Sequence, residues 1–183
     1  MCNEYRFRTS LDQLAEEFSR LELPLVWEGG APNLEPRDSI RPTDMAPVIV
    51  GREGGALLRQ LRWGFPRPKG GPLINFRSED RSFPTGRCLV PADGFYEFTG
   101  AKAPKSKWLF TPEGTDVFCI AGLIREDRFT LLTTDAGPDI APYHGRQIVV
   151  VPRRKWAAWL GPPDAQPPLG PTPAGAFRVQ QLR

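Results

Sequence analysis

The chain has 183 residues, 40% of them hydrophobic and 25% charged, with a formal net charge of +3. That is length for one well-buried domain rather than two, and the balance excludes a disordered chain, although 21 prolines and 18 glycines announce many loops. No apolar stretch is long enough to span a membrane, the polar start is not a signal peptide, and three cysteines with no zinc-type spacing exclude a disulfide framework or a metal cluster. The expected location is therefore the cytoplasm, and the mild basic excess suits a polyanion without requiring one.

Met1-Cys2-Asn3 opens the chain. Cys2 is small enough that Met1 is expected to be removed, which leaves a thiol and an α-amine on adjacent carbons. An α-amine titrates near ~7.7–8.0 and an ordinary thiol near ~8.5, so both are expected to be partly nucleophilic at neutral pH without help from burial. Such a 1,2-aminothiol can attack an aldehyde twice, first as a Schiff base and then by closing a thiazolidine ring.

Ser10-Leu11-Asp12-Gln13 has the form of a capping box, and Leu11, Leu14, Ala15, Phe18 and Leu21 repeat at helical spacing until Pro24. From Pro24 to Pro47 the prolines predict a long irregular surface loop, of a length that usually serves a site. Pro47–Val50 and Ala56–Trp63 read as a hairpin, followed by the basic loop around Arg67, Pro68 and Lys69. Arg87–Phe98 reads as two strands bent at Pro91–Gly94. Alternation puts Phe95 and Glu97 on one face and Tyr96 and Phe98 on the other, so Glu97 is a carboxylate set among aromatics: either half-buried with its pKa raised and able to carry protons into a cavity, or at a sheet edge pointing to water. Lys107–Thr111 and Val117–Ile124 read as an antiparallel pair, with Phe129–Thr133 pairing onward.

Thr133 to Arg146 forms a polar loop holding His144, the one histidine in the chain and the side chain best suited to move protons at neutral pH. A lone histidine is more often structural than catalytic, but this one is not on an apolar face. Gln147–Val151 reads as a buried strand, Pro152–Leu160 as a helix and Phe177–Leu182 as a last strand.

Taken together, these stretches resemble the SOS response-associated peptidase (SRAP) family. Met1-Cys2 resembles its processed start and Leu73-Ile74-Asn75-Phe76-Arg77-Ser78-Glu79 its Ile-Asn-Ala-Arg-x-Glu segment; Cys88–Phe98 is similar to its most recognisable run, and Ala141–Arg146 to its Pro-x-His-x-Arg loop. The resemblance implies a single α+β domain over residues 1–183, with a curved, mainly antiparallel or barrel-like sheet and a few flanking helices. It implies a monomer, nucleoid-associated in a bacterium, that binds single-stranded DNA containing abasic sites and needs no cofactor or metal. Cys2 would form the covalent thiazolidine cross-link, with Glu97 and His144 carrying protons and Asn75 orienting the terminus. Arg77, Arg146 and Thr133 would contact phosphates, and Arg67 and Pro42 would add to the DNA-binding surface. Hydrolase or lyase chemistry is left open, as are two other readings: a thiol autopeptidase or amidase using Cys2, and a noncovalent single-strand-binding module. The chain departs from the family in having Asn3-Glu4 where many members have Gly-Arg, and in lacking tryptophans in the Phe65–Pro72 loop.

Overall fold

The computed structural model describes residues 2–183. The amino-terminal segment leads into β1 (Tyr5–Phe7), and α1 (Leu11–Ser19) follows. The capping box forms as the sequence predicts: the Gln13 N–H donates to Ser10 Oγ at 3.2 Å, and the Ser10 N–H to Gln13 Oε1 at 3.0 Å. The helix buries Leu14 and Phe18 and ends before Leu21, because Glu22 turns left-handed at φ 55° and the Leu23 N–H closes back on the Phe18 carbonyl at 3.1 Å.

The stretch from Pro24 to Pro47 is not one irregular loop. It contains β2 (Leu25–Trp27), β3 (Arg37–Ile40) and the start of β4 (Met45–Arg52). The short strands lack an alternating apolar pattern of their own and are fixed by distant partners: β2 lies parallel to β5 (Gly55–Trp63), and β3 antiparallel to β1. The prolines at 32, 36 and 42 fall between strands, where a missing N–H costs no ladder bond. The β4–β5 hairpin stands as predicted.

Next come β6 (Asn75–Arg77), β7 (Arg87–Ala92), β8 (Gly94–Thr99) and β9 (Ser106–Pro112). The bend between β7 and β8 falls at Asp93, whose carboxylate takes the Arg6 side chain and the Arg8 N–H. After β10 (Phe118–Arg125) and β11 (Arg128–Asp135), the last predicted buried strand divides at Val149 into β12 (Arg146–Ile148) and β13 (Val150–Val151). The division lets β12 pair with β11 and β13 with β10. A short 3-10 turn and α2 (Trp156–Leu160) precede β14 (Phe177–Gln181).

The strands form two sheets, which makes the fold α+β with a predominance of strand. One runs β14-β9-β8-β1-β3. The other contains β11, β10, β7, β4 and β5 in that order, and the parallel pairing of Phe129 with Trp63 joins β11 back to β5, closing the five strands into a small barrel. Here β9 and β10 depart from the expected pairing. They belong to different sheets, β9 lying between β8 and β14 and β10 between β7 and β11, because the chain crosses from one sheet to the other after Pro112.

Aromatic contacts weld the sheets into one core: Tyr5 meets Trp63 at 5.3 Å between ring centroids, and Phe95 meets Phe118 at 6.3 Å. Phe95 also stacks on Phe110 at 4.9 Å. Such pairs add to the free energy of burial through their geometry. Among the described residues no helix is long and apolar enough to cross a membrane.

Candidate functional site

The seam between the sheets carries Cys2, Asn75 and Glu97. Cys2 stands just ahead of β1 and is 1% exposed. Its backbone carbonyl accepts a hydrogen bond from Asn75 Nδ2 at 2.8 Å, and its thiol reaches the Glu4 carbonyl at 3.4 Å. Asn75 comes from the other sheet, where β6 runs parallel to β11 with Asn75 opposite Leu131. Its Oδ1 is buried and has no partner among the described residues.

Glu97 lies in β8, on the strand next to β1, where Tyr5 pairs with Phe95 and the Tyr96 N–H donates to the Glu4 carbonyl at 3.0 Å. Its carboxyl is buried, 1% exposed, and desolvation pushes its pKa up to about 7. The Cys2 thiol is raised well above the ordinary range, first by burial and then by the charge of Glu97. The free thiolate expected of an unburied cysteine is therefore not present: this sulfur is a protonated thiol at neutral pH. The antiparallel β1–β8 register, with Tyr5 opposite Phe95, carries the segment ahead of β1 alongside Glu97. Removal of Met1 lies outside the described residues.

His144 reaches the same face through its neighbour. Glu97 pairs across the sheet with Trp108, and Tyr143 packs on Trp108 at 4.6 Å and on Phe110 at 5.3 Å. Trp108, Phe110 and Glu97 share one face by strand alternation, so the 136–145 turn lies over the face that presents Glu97. The turn is rigidly built. The Gly137 N–H donates to Gln147 Oε1 at 2.6 Å, the Ala141 and His144 N–H groups donate to the Gly137 and Ile140 carbonyls, and Asp139 accepts from the Gly175 and Phe177 N–H groups. Gly137 admits no side chain, since a Cβ would stand 2.2 Å from the Thr172 carbonyl oxygen. The His144 Nδ1 accepts the Arg146 N–H at 2.9 Å, which leaves the proton of the neutral ring on Nε2. Burial lowers the His144 pKa, so the neutral ring prevails at pH 7.

The proposed phosphate contacts differ among themselves. Arg77, opposite Thr133 in the β6–β11 pairing, is exposed. Arg146 is not open in the same way. Its guanidinium grips both oxygens of Glu79, with Nη2 to Oε2 at 3.0 Å, reaches Asp135 at 2.9 Å and donates to Thr133 Oγ1 at 3.1 Å. Thr133 is 1% exposed, its hydroxyl turned to Arg146 and the Phe76 carbonyl. A phosphate at Arg146 must share or displace Glu79, whose carboxyl Arg146 holds below the usual range. Arg67 is exposed with Nε on the Gly71 carbonyl at 2.8 Å, and Pro42 is half-buried at the turn after β3, whose Ile40 pairs with Tyr5 of β1.

Two participants were missed. Glu79 stands in phase with Asn75 and Arg77, so the alternation Asn75-x-Arg77-x-Glu79 could have placed its carboxylate beside them. Glu4 is a buried carboxylate held by Lys107 Nζ at 2.7 Å and approached by Arg41 at 3.5 Å. Burial alone would raise its pKa, but Lys107, Ser39 and Arg41 bring it below the ordinary value. Nothing in the sequence links positions 4 and 107; only the fold does. Among the described residues no cluster could hold a metal ion.

The chain is similar to known proteins in both sequence and fold. The model of the family described as SOS response associated peptidase (SRAP) matches residues 1–181. The chain is 25% identical over 193 aligned residues to the abasic site processing protein YoqW of Bacillus subtilis (strain 168), covering 91% of this chain and 83% of that one. It is 26% identical to the abasic site processing protein YobE of the same organism, covering 91% and 85%. A crystal structure from Bacteroides thetaiotaomicron superposes with a TM-score of 0.74 at 14% identity, over all of this chain and 92% of the other. One from Bordetella bronchiseptica superposes at 0.73 and 22% identity, over the whole of both chains.

Proposed function

This chain belongs to the SOS response-associated peptidase family, and on that premise we propose that it processes abasic sites in single-stranded DNA by covalent capture at Cys2. The observation that carries the reading is the convergence of Asn75, Glu97 and the Cys2 terminus at the seam of two sheets, with a buried carboxyl that titrates near neutrality.

The chemistry follows from the ionisation states. An abasic deoxyribose in a single strand equilibrates with its ring-opened aldehyde. Once Met1 is removed, the Cys2 α-amine attacks the C1′ carbonyl; the carbinolamine loses water and leaves a Schiff base. The thiol, kept protonated by burial, then adds across the C=N bond. Its sulfur bonds to C1′, its proton passes to nitrogen, and a thiazolidine results. No oxidant or reductant is consumed. The high thiol pKa sets the order of events, with the amine acting first and the sulfur second.

Glu97 is suited to take the amine's proton and return it, since a carboxyl that titrates at about 7 is protonated and ionised in similar amounts at neutral pH. His144, with its proton on Nε2, is suited to donate a hydrogen bond to the sugar oxygen as the ring opens, and to assist the reverse step. Asn75 holds the Cys2 carbonyl, and its unpartnered Oδ1 offers an acceptor to the freed terminus. Arg77, and Arg146 where a phosphate displaces Glu79, would position the backbone without reading base sequence.

Intact mass before and after mixing with an abasic oligonucleotide tests the reading. The expected result is a chain lacking Met1, and an adduct that survives denaturation and whose mass equals protein plus DNA minus one water. Cys2→Ser should keep noncovalent binding and yield only an adduct that requires borohydride trapping. An abasic strand that binds tightly yet never becomes linked would leave the noncovalent module as the correct description. Cleavage of a peptide by Cys2 without any DNA adduct would favour the peptidase.

A further inference from the structure

Strand β6 has two sides. Asn75 and Arg77 face one; Phe76, between them, faces the other, where its ring meets Phe83 edge-on at 6.2 Å. Behind the strand a cleft of about 480 Å³ opens between the loop after β5, the segment 81–83 and the end of β10. Its floor is apolar, formed by the three rings of Phe65, Phe76 and Phe83 with Leu73 and Leu123 beside them. Its rim holds Arg67, Arg81 and Arg125, all exposed, and among the described residues no carboxylate lines it.

The arrangement of the arginines decides what fits. The Arg81 guanidinium lies over the Phe76 ring at 4.9 Å and that of Arg125 over Phe65 at 5.1 Å. A guanidinium over a ring caps the face that a nucleobase would need for stacking. Its N–H groups stay free in its own plane, a preorganised fork for a carboxylate. Phe83 is likewise engaged, edge-on to Phe76 and to Trp159. What is left is an apolar floor whose rings are already engaged, edged by arginines that form no ion pair among the described residues.

We propose that this cleft docks a short acidic peptide segment of a partner protein, with carboxylates on Arg81 and Arg125 and one large apolar side chain on the Phe83–Leu123 floor. The cleft lies across β6 from Cys2, so carboxylates on Arg81 and Arg125 would touch none of Cys2, Asn75, Glu97 and His144.

Fluorescence anisotropy of the full chain with a labelled peptide, Asp-Asp-Glu-Leu-Phe, tests this directly. Saturable binding is expected, weakened about tenfold when Leu and Phe are replaced by Ser, and weakened at least about tenfold in the double variant Arg81→Glu, Arg125→Glu. An unlabelled, undamaged deoxythymidine decamer should not displace the peptide, and the yield of abasic-site adduct in the double variant should equal that of the parent. The milder Arg125→Ala, at an exposed position, should weaken the peptide about threefold and guards against a folding defect. Absence of saturable binding overturns the proposal, as does an affinity indifferent to both variants. Displacement by the decamer would instead make the cleft a nucleic-acid site.

Discussion

Replacing Glu97 by Gln removes the ionisable group and keeps the shape, which makes the electrostatics of the site measurable through stability. The folded carboxyl titrates at about 7 where an unburied glutamate titrates at 4.5. Between those pH values the folded protein holds a proton that the unfolded chain has released. The stability Glu97 contributes is therefore fully present below the unfolded pKa and is lost as pH rises through the folded one. At about 1.36 kcal/mol per pH unit, the complete loss is roughly 3 kcal/mol, of which about 2.5 kcal/mol falls between pH 5 and pH 8. Urea denaturation of both proteins at those two pH values reads the difference, since every other titrating group is common to the pair. Relative to Glu97→Gln, the parent should lose about 2.5 kcal/mol from pH 5 to pH 8. A gap that stays constant would mean that Glu97 ionises like a surface carboxylate. It could then not hold a proton at neutrality, and the acid–base role assigned to it would fall.

Three further outcomes are expected. Asn75→Ala loses the 2.8 Å bond to the Cys2 carbonyl, so melting experiments should show a cost of about 1 kcal/mol, and adduct formation at saturating DNA should slow more than binding weakens. Arg77→Ala should lower the slope of log affinity against log salt by about one, as read in noncovalent titrations of undamaged single strands. Gly122→Ala should destabilise the barrel by about 1–3 kcal/mol in urea, because the new Cβ would meet Cys88 Sγ at 2.9 Å and the Thr130 carbonyl oxygen at 3.0 Å, both in the closed core.

Where local chemistry decides structure, the sequence was legible. Ser10 and Gln13 cap each other because the box is complete within four residues, and Glu97 lies on the face of Phe95 because a strand alternates whatever its partners. Where distant partners decide, it was not. Arg37–Ile40 carries no strand signature yet is a strand, since β1 offers it an edge. Two good strands, β9 and β10, were read as a pair because nothing within them records which sheet each joins. The same limit applied to the site. Residue types and order pointed to Cys2, Asn75, Glu97 and His144, but the suppression of the thiol, the grip of Glu79 on Arg146 and the Lys107–Glu4 contact arise only from packing.

The division of the site between two sheets has a temporal side. A ribosome delivers the sulfur-bearing end first, while the amide at 75, the carboxyl at 97 and the imidazole at 144 follow only as synthesis proceeds. With Met1 removed as proposed, the nascent end would be an ordinary aminothiol with no partners to orient it until the later strands dock. On the proposed chemistry, the oldest part of the polypeptide is thus the last to acquire its competence, and any event that parts the sheets would disarm it.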